Sequence, residues 1–233
     1  MSDTTKIEWC DMTFNPWIGC TKVSPGCANC YAERDFDLRK HVAKWGPGQP
    51  RHRTSKANWK KPLAWDRKAE EIRRESYATN VAVPHRPRVF CGSRSDWLDD
   101  EVPAEWLADL FNLWRACSDL DILALTKRPQ LWRRRLEAAA DIGSDVAESW
   151  LDGHAPANVW VGTTVEDQDR ADERIPALLK IPARVRFLSC EPMLGAVDLR
   201  TWLGGARPYP IHWVICGGES GRASCRERVY GLV

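Results

Sequence analysis

Three cysteines carry the most legible chemistry in this sequence. Cys20, Cys27 and Cys30 follow a C-x6-C-x2-C spacing inside the run Gly19-Cys20-Thr21-Lys22-Val23-Ser24-Pro25-Gly26-Cys27-Ala28-Asn29-Cys30-Tyr31. A C-x2-C pair can set two sulfurs on one metal centre, and the third cysteine returns from the far side of the loop. Gly19, Pro25 and Gly26 allow the sharp turns needed to wrap a bound object. Soft thiolates select zinc or an iron–sulfur cluster. The count of three is informative, because a structural zinc site takes four protein ligands. His41, the nearest histidine, lies well outside the run. Three thiolates on a [4Fe–4S] cubane leave one iron open to a substrate or cofactor. A four-cysteine zinc site that recruits Cys10 is the rival reading.

The remaining composition bounds the setting. Residues 1–8 are polar and form no secretion signal, so a reducing, cytoplasmic location is expected for a chain with nine cysteines. Cys91, Cys117, Cys190 and Cys216 lie in or beside apolar segments and read as small core residues. No apolar run approaches the ~20 residues of a membrane span. The net charge of +2 is too small to argue for nucleic-acid binding by itself. A local basic strip, 51–61, is either a solvated surface or a phosphate-contacting element. In the second case Arg51, Arg53, Lys56, Lys60 and Lys61 would meet a nucleic acid backbone and Trp59 would stack on a base.

Elements able to position these residues alternate along the chain. Strands are expected at 13–18, 88–91, 121–126, 159–164, 185–189 and 213–216. Helices are expected at 103–116, 130–140 and 167–179, the last interrupted at Pro176, with a charged helix around 65–77. Strands alternating with helices imply parallel βαβ units and an α/β fold, here a partial (β/α)6 TIM-like barrel with an N-terminal cysteine loop. An irregular basic insertion at about 39–83 is expected to cross its mouth. The expected strand ends are polar: Ser93, Ser95 and Asp96; Thr126, Lys127 and Arg128; Thr163, Thr164 and Glu166; Ser189 and Glu191; Gly217, Gly218 and Glu219. Barrel chemistry gathers at C-terminal strand ends, so these residues are expected to share a site.

Several motifs together carry a family resemblance. Asn15-Pro16-Trp17, Gly19-Cys20, Lys22-Val23-Ser24-Pro25-Gly26-Cys27 and Cys30-Tyr31-Ala32-Glu33 open the series. Ser95-Asp96, Leu125-Thr126-Lys127-Arg128-Pro129, the run from Trp160 to Glu166, Ser189-Cys190-Glu191-Pro192 and the run from Gly217 to Gly221 follow in order. The sequence resembles a phage- and prophage-associated family of unknown function with a three-cysteine motif. More remotely it is similar to radical S-adenosylmethionine (SAM) enzymes, including the spore photoproduct lyase branch. Its spacing departs from the usual C-x3-C-x2-C of those enzymes, and Asn29 stands where an aromatic often precedes the last cysteine.

That resemblance implies a [4Fe–4S] cluster on Cys20, Cys27 and Cys30, SAM at the open iron, an external electron donor and an unknown substrate, with nucleic acid as the candidate. Strand-end position then suggests Ser93 and Thr163 as hydroxyl partners of SAM and Lys127 or Arg128 for its carboxylate. Glu191 would take the ribose hydroxyls, and Gly217-Gly218 would give close backbone approach. The alternative is a non-catalytic, zinc- or cluster-stabilised nucleic-acid-binding phage protein that uses the basic strip. The expected domain runs over residues 1–221, C-terminally truncated relative to the family. Residues 222–233 are expected to be a non-native tail, since 221–229 matches one reading frame of a sequencing adapter.

Overall fold

The computed structural model describes residue 5, residues 7–203 and 210–217, and the backbone alone of 228–231. Chain order is β1 (Met12–Phe14), β2 (Trp17–Ile18), α1 (Tyr31–Glu33), β3 (His52–Arg53), α2 (Lys56–Trp59), α3 (Lys61–Ala78), β4 (Arg88–Cys91), α4 (Ala104–Ala116) and β5 (Asp121–Thr126). Then come α5 (Trp132–Ala140), α6 (Asp145–Leu151), β6 (Val159–Thr164), α7 (Gln168–Leu179), β7 (Val185–Cys190), α8 (Arg200–Leu203), β8 (Trp213–Cys216) and β9 (Arg228–Gly231). The fold is α/β. Six strands, β1-β4-β5-β6-β7-β8, pair in parallel in that order, and β9 pairs antiparallel with β8. No helix among the described residues is long and apolar enough to cross a membrane.

Strand periodicity divides the core into two layers. Val89 and Cys91, Ile122 and Ala124, Val159 and Val161, Leu188 and Cys190, and Val214 pack with the buried stripes of the helices. In α4 that stripe is Leu107, Leu110, Phe111 and Trp114, a helical repeat. The alternate residues Phe90, Leu123, Trp160, Phe187, Trp213 and Ile215 join Trp9 in a second layer on the other face. Its rings touch closely, with centroids 4.6 Å apart for Trp9–Phe90 and 5.9 Å for Phe187–Trp213. Gly162 makes room for it: a Cβ there would lie 2.4 Å from the Phe187 ring.

Four expectations need correction. The expected strand 13–18 is two strands, split at Asn15-Pro16; β1 enters the sheet, while β2 pairs antiparallel with β3. Proline has no N–H for a ladder, and its carbonyl is taken by Thr54 N at 3.0 Å and Trp59 Nε1 at 3.2 Å. The helix expected over 130–140 begins instead with a single 3-10 turn, Pro129–Leu131. The helix over 167–179 is not interrupted: α7 runs through Pro176, capped by Asp167, whose side chain accepts from Arg170 N at 2.8 Å. Its buried face, with Ala171, Ile175 and Leu178, outweighs the one hydrogen bond that proline forfeits. The expected helix around 65–77 is longer, and α6 was not expected at all; Ser144 caps it. Of the expected tail, residues 222–227 and 232–233 lie outside the described residues, and 228–231 is β9.

Candidate functional site

A cavity of about 560 Å3 opens at the C-terminal ends of the parallel strands. Cys20, Cys27 and Cys30 line one side of it. The strand ends line the other, with Ser93 and Asp96 after β4, Lys127 and Arg128 after β5, Thr164 at the end of β6, and Ser189 and Glu191 from β7 and beyond. Thus the three cysteines and four of the expected partners, Ser93, Lys127, Arg128 and Glu191, meet at one place. Thr163 does not line it. Its hydroxyl donates to the Thr126 carbonyl at 2.9 Å and is fully buried. Strand alternation puts Thr164 on the cavity side instead, in phase with Trp160 and Gly162. Gly217 sits behind the wall, where a Cβ would come 2.1 Å from Glu191 Oε1. Gly218 lies outside the described residues.

The cysteine loop is held by residues on the strand ends. Pro25–Cys27 forms a 3-10 turn in which Cys27 N donates to Ser24 O at 2.9 Å. Glu166, fully buried just after β6, accepts from Ser24 Oγ at 2.6 Å and from Gly26 N at 2.8 Å. Arg174 Nη1 at 3.1 Å and Lys127 Nζ at 3.3 Å complete its surroundings. The approach is so close that a Cβ on Gly26 would meet Glu166 Cδ at 2.5 Å. On the other limb, Arg128 donates to Cys20 Sγ at 3.5 and 3.6 Å and to the Thr21 carbonyl. Asp96 fixes Arg128, accepting from its Nη1 at 2.9 Å, from Thr126 Oγ1 at 2.7 Å and from Lys127 N at 2.8 Å. Asn15 ties the β1 end to the β4 end: it exchanges hydrogen bonds with Ser93 Oγ and accepts from Arg94 N at 2.8 Å.

The electrostatics follow from burial against charge. Burial pushes the Cys20 thiol up to about 12, against the opposing pull of Arg128. Burial also raises Cys30, while the backbone N–H groups of Glu33 and Ala32 resist. Burial works against the Glu166 carboxylate too, yet Ser24, Lys127, Gly26 and Arg174 together hold it below the ordinary carboxylate range. Both thiols must therefore lose a proton to ligate a metal.

Among the described residues no three His, Cys, Asp or Glu side chains are gathered on one point as a ready-made metal site. The donor set nonetheless suits a soft-metal centre. Three thiols from one loop face one cavity, and a guanidinium lies against one sulfur, as outer-shell donors do around cluster thiolates. Cys91, Cys117 and Cys190 are buried in the helix-side core, as expected.

The basic strip fares differently. Arg51 is fully buried and pairs with Asp99 at 2.8 Å, while donating to Thr21 Oγ1 at 2.8 Å. It braces the cysteine loop and is not free to meet a phosphate. Arg53 pairs with Asp109 at 2.7 Å and lies over the Trp59 ring, 4.3 Å from its centroid. Trp59 is half-buried, with its other contacts on Phe14 and Pro16. Its face is covered and offers no stacking platform. Lys56, Lys60 and Lys61 remain exposed. Sequence reasoning named Glu166 and Asp96 among the polar strand ends but gave them no role, and it missed Arg51 as an anchor. Their acidic or basic character was legible; the partner 142 positions away in the Ser24–Glu166 contact was not.

No curated protein and no solved structure matches the chain. A family model described as a protein of unknown function, DUF5131, matches residues 4–228, and the chain belongs to that family.

Proposed function

We propose that this chain is a radical SAM-type iron–sulfur enzyme on a partial (β/α)6 barrel. The observation that carries this reading is the convergence of Cys20, Cys27 and Cys30 on one cavity with the C-terminal ends of six parallel strands. In this reading the three thiolates hold a [4Fe–4S] cluster. Bound there, the cluster would supply the electron for reductive cleavage of SAM, the chemistry that starts hydrogen abstraction from a substrate.

The chain's own residues do the rest. Arg128 donates to the Cys20 sulfur and tempers its charge, and Asp96 keeps that guanidinium aimed. Glu166 fixes the Ser24–Gly26 turn that presents Cys27. Ser93, Lys127 and Glu191 border the space in which SAM would lie, with Thr164 in the place expected for Thr163. Trp9, Phe90 and Leu125 of the aromatic layer give the cavity an apolar wall. Exposed Val23 and Lys22 give an external electron donor access to the outside of the loop. The substrate, with modified nucleic acid as the candidate that the resemblance suggests, would enter from the rim. The alternative, a non-catalytic nucleic-acid-binding protein, would rest on Lys56, Lys60 and Lys61, since Arg51 is buried and Arg53 lies over Trp59.

Anaerobic reconstitution with iron and sulfide, followed by SAM and dithionite, tests the reading. Formation of 5′-deoxyadenosine by the wild type and not by Cys27→Ala is the expected result. A fully loaded cluster that yields none rejects SAM cleavage.

A further inference from the structure

Four basic side chains stand in the cavity wall: Lys22, Arg94, Lys127 and Arg128. Three are already neutralised. Lys22 pairs with Glu33 at 2.7 Å, Lys127 with Glu166 at 3.3 Å, and Arg128 with Asp96 at 2.9 Å. The two residues expected to clamp a ligand carboxylate, Lys127 and Arg128, are therefore occupied by protein carboxylates.

Arg94 differs. Among the described residues no carboxylate pairs with it. Its guanidinium lies over Phe36, with Cζ 4.3 Å from the ring centroid. A ring contact of this kind holds the guanidinium near the cavity without using its N–H donors. Its backbone is pinned on both sides: Arg94 N donates to Asn15 Oδ1 at 2.8 Å, and its carbonyl accepts from Gly19 N at 3.2 Å. A second cation, Lys40, lies over the same Phe36 ring at 4.7 Å. Independently, the next residue carries an orphan. Ser95 Oγ is buried in the cavity wall and has no hydrogen-bond partner among the described residues. A buried hydroxyl without a partner carries an uncompensated desolvation cost, which a bound acceptor removes.

We propose that Arg94 and Ser95 form an oxyanion-recognition subsite of this cavity. It receives a phosphate or carboxylate of the molecule that enters. A guanidinium with no carboxylate partner beside an unsatisfied hydroxyl donor is complementary to such a group and to no cation. The inference rests on the reading of the cavity as the site, but not on the cluster.

The test is calorimetric titration of the full chain with inorganic pyrophosphate and, separately, with malonate. The two arms separate phosphate from carboxylate recognition. Saturable binding of at least one anion is expected, weakened about tenfold or more by Arg94→Gln and less by Arg94→Lys, which keeps the charge but loses the fork. Ser95→Ala is expected to weaken it several-fold, and Arg115→Gln, an exposed arginine paired with Asp145, to leave it unchanged. No saturable binding of either anion, or wild-type affinity in Arg94→Gln, overturns the proposal. Iron is quantified in parallel. A failed titration on an iron-loaded chain overturns this subsite and leaves the cluster standing. Arg94-dependent binding on a chain that takes up no iron supports the subsite and counts against the cluster.

Discussion

Cys20 and Cys117 are one side chain in two settings. Burial pushes both thiols up to about 12, so acidity alone does not tell them apart. Company does. Cys117 is fully buried in the helix-side core, outside the cavity lining and with Asp66 as its charged neighbour. Cys20 borders a cavity, has the Arg128 guanidinium against its sulfur and sits on a loop anchored from two sides. Cys91 and Cys190 share the first setting; Cys27 and Cys30 share the second. In the proposed reading, a ligand thiol is distinguished from a core thiol by an opening on one side and fixed polar donors on the other.

The sharpest way to break the comparison is to remove one thiol of each kind. Cys27→Ala should abolish iron binding, since two remaining thiolates rarely retain a cubane. Iron analysis and visible absorbance read the outcome, and a variant that keeps both refutes the ligand assignment.

The next largest effect belongs to the anchor. Glu166→Gln leaves Arg174, itself nearly fully buried, beside a neutral amide. Loss of one partner of a buried ion pair costs about 3–5 kcal/mol, measurable by denaturant unfolding at neutral pH. The folded carboxyl titrates below its ordinary value of 4.5, so its stabilisation is fully present above that pH and is lost as pH falls through the lower folded value. Glu166→Gln should therefore flatten this part of the acid limb. An unchanged pH profile would show that the carboxylate does not hold the loop. Iron loading should fall with it, because the turn that presents Cys27 loses its clamp.

Arg128→Lys sharpens the comparison within the ligand group. Lysine keeps a charge but cannot bridge Asp96, the Thr21 carbonyl and the Cys20 sulfur with one planar fork. Stability should fall by about 1–3 kcal/mol with iron still bound, and the cluster's visible spectrum or potential should shift. A spectrum identical to wild type would remove Arg128 from the cluster's surroundings.

The smallest effect is the control. Cys117→Ala should keep full iron and cost on the order of 1 kcal/mol of stability. Loss of iron here would erase the distinction between the two groups.

Much of this was legible in the sequence, for identifiable reasons. The parallel order followed from apolar runs separated by helical stripes; five of the six expected strands lie whole in the parallel sheet, and the first enters it only over Met12–Phe14. The cysteine loop announced itself by spacing, glycine and proline. Phase along a strand was available but unused: alternation from Trp160 assigns Thr164, not Thr163, to the cavity. The basic strip misled because composition does not reveal pairing. Arg51 reads as a surface charge until Asp99 and Thr21, far along the chain on either side, close around it. Glu166 was likewise visible as a polar strand end, but its clamp on Ser24 and Gly26 depends on tertiary approach.

In the proposed reading the three loop cysteines hold one cluster. Anaerobic reconstitution of the full chain, followed by iron and acid-labile sulfide analysis, tests it most directly. The account predicts a brown protein with about four iron and four sulfide per chain in the wild type and in Cys117→Ala, and neither in Cys27→Ala. A colourless wild-type chain that binds zinc alone, or iron loading that survives Cys27→Ala, would contradict it.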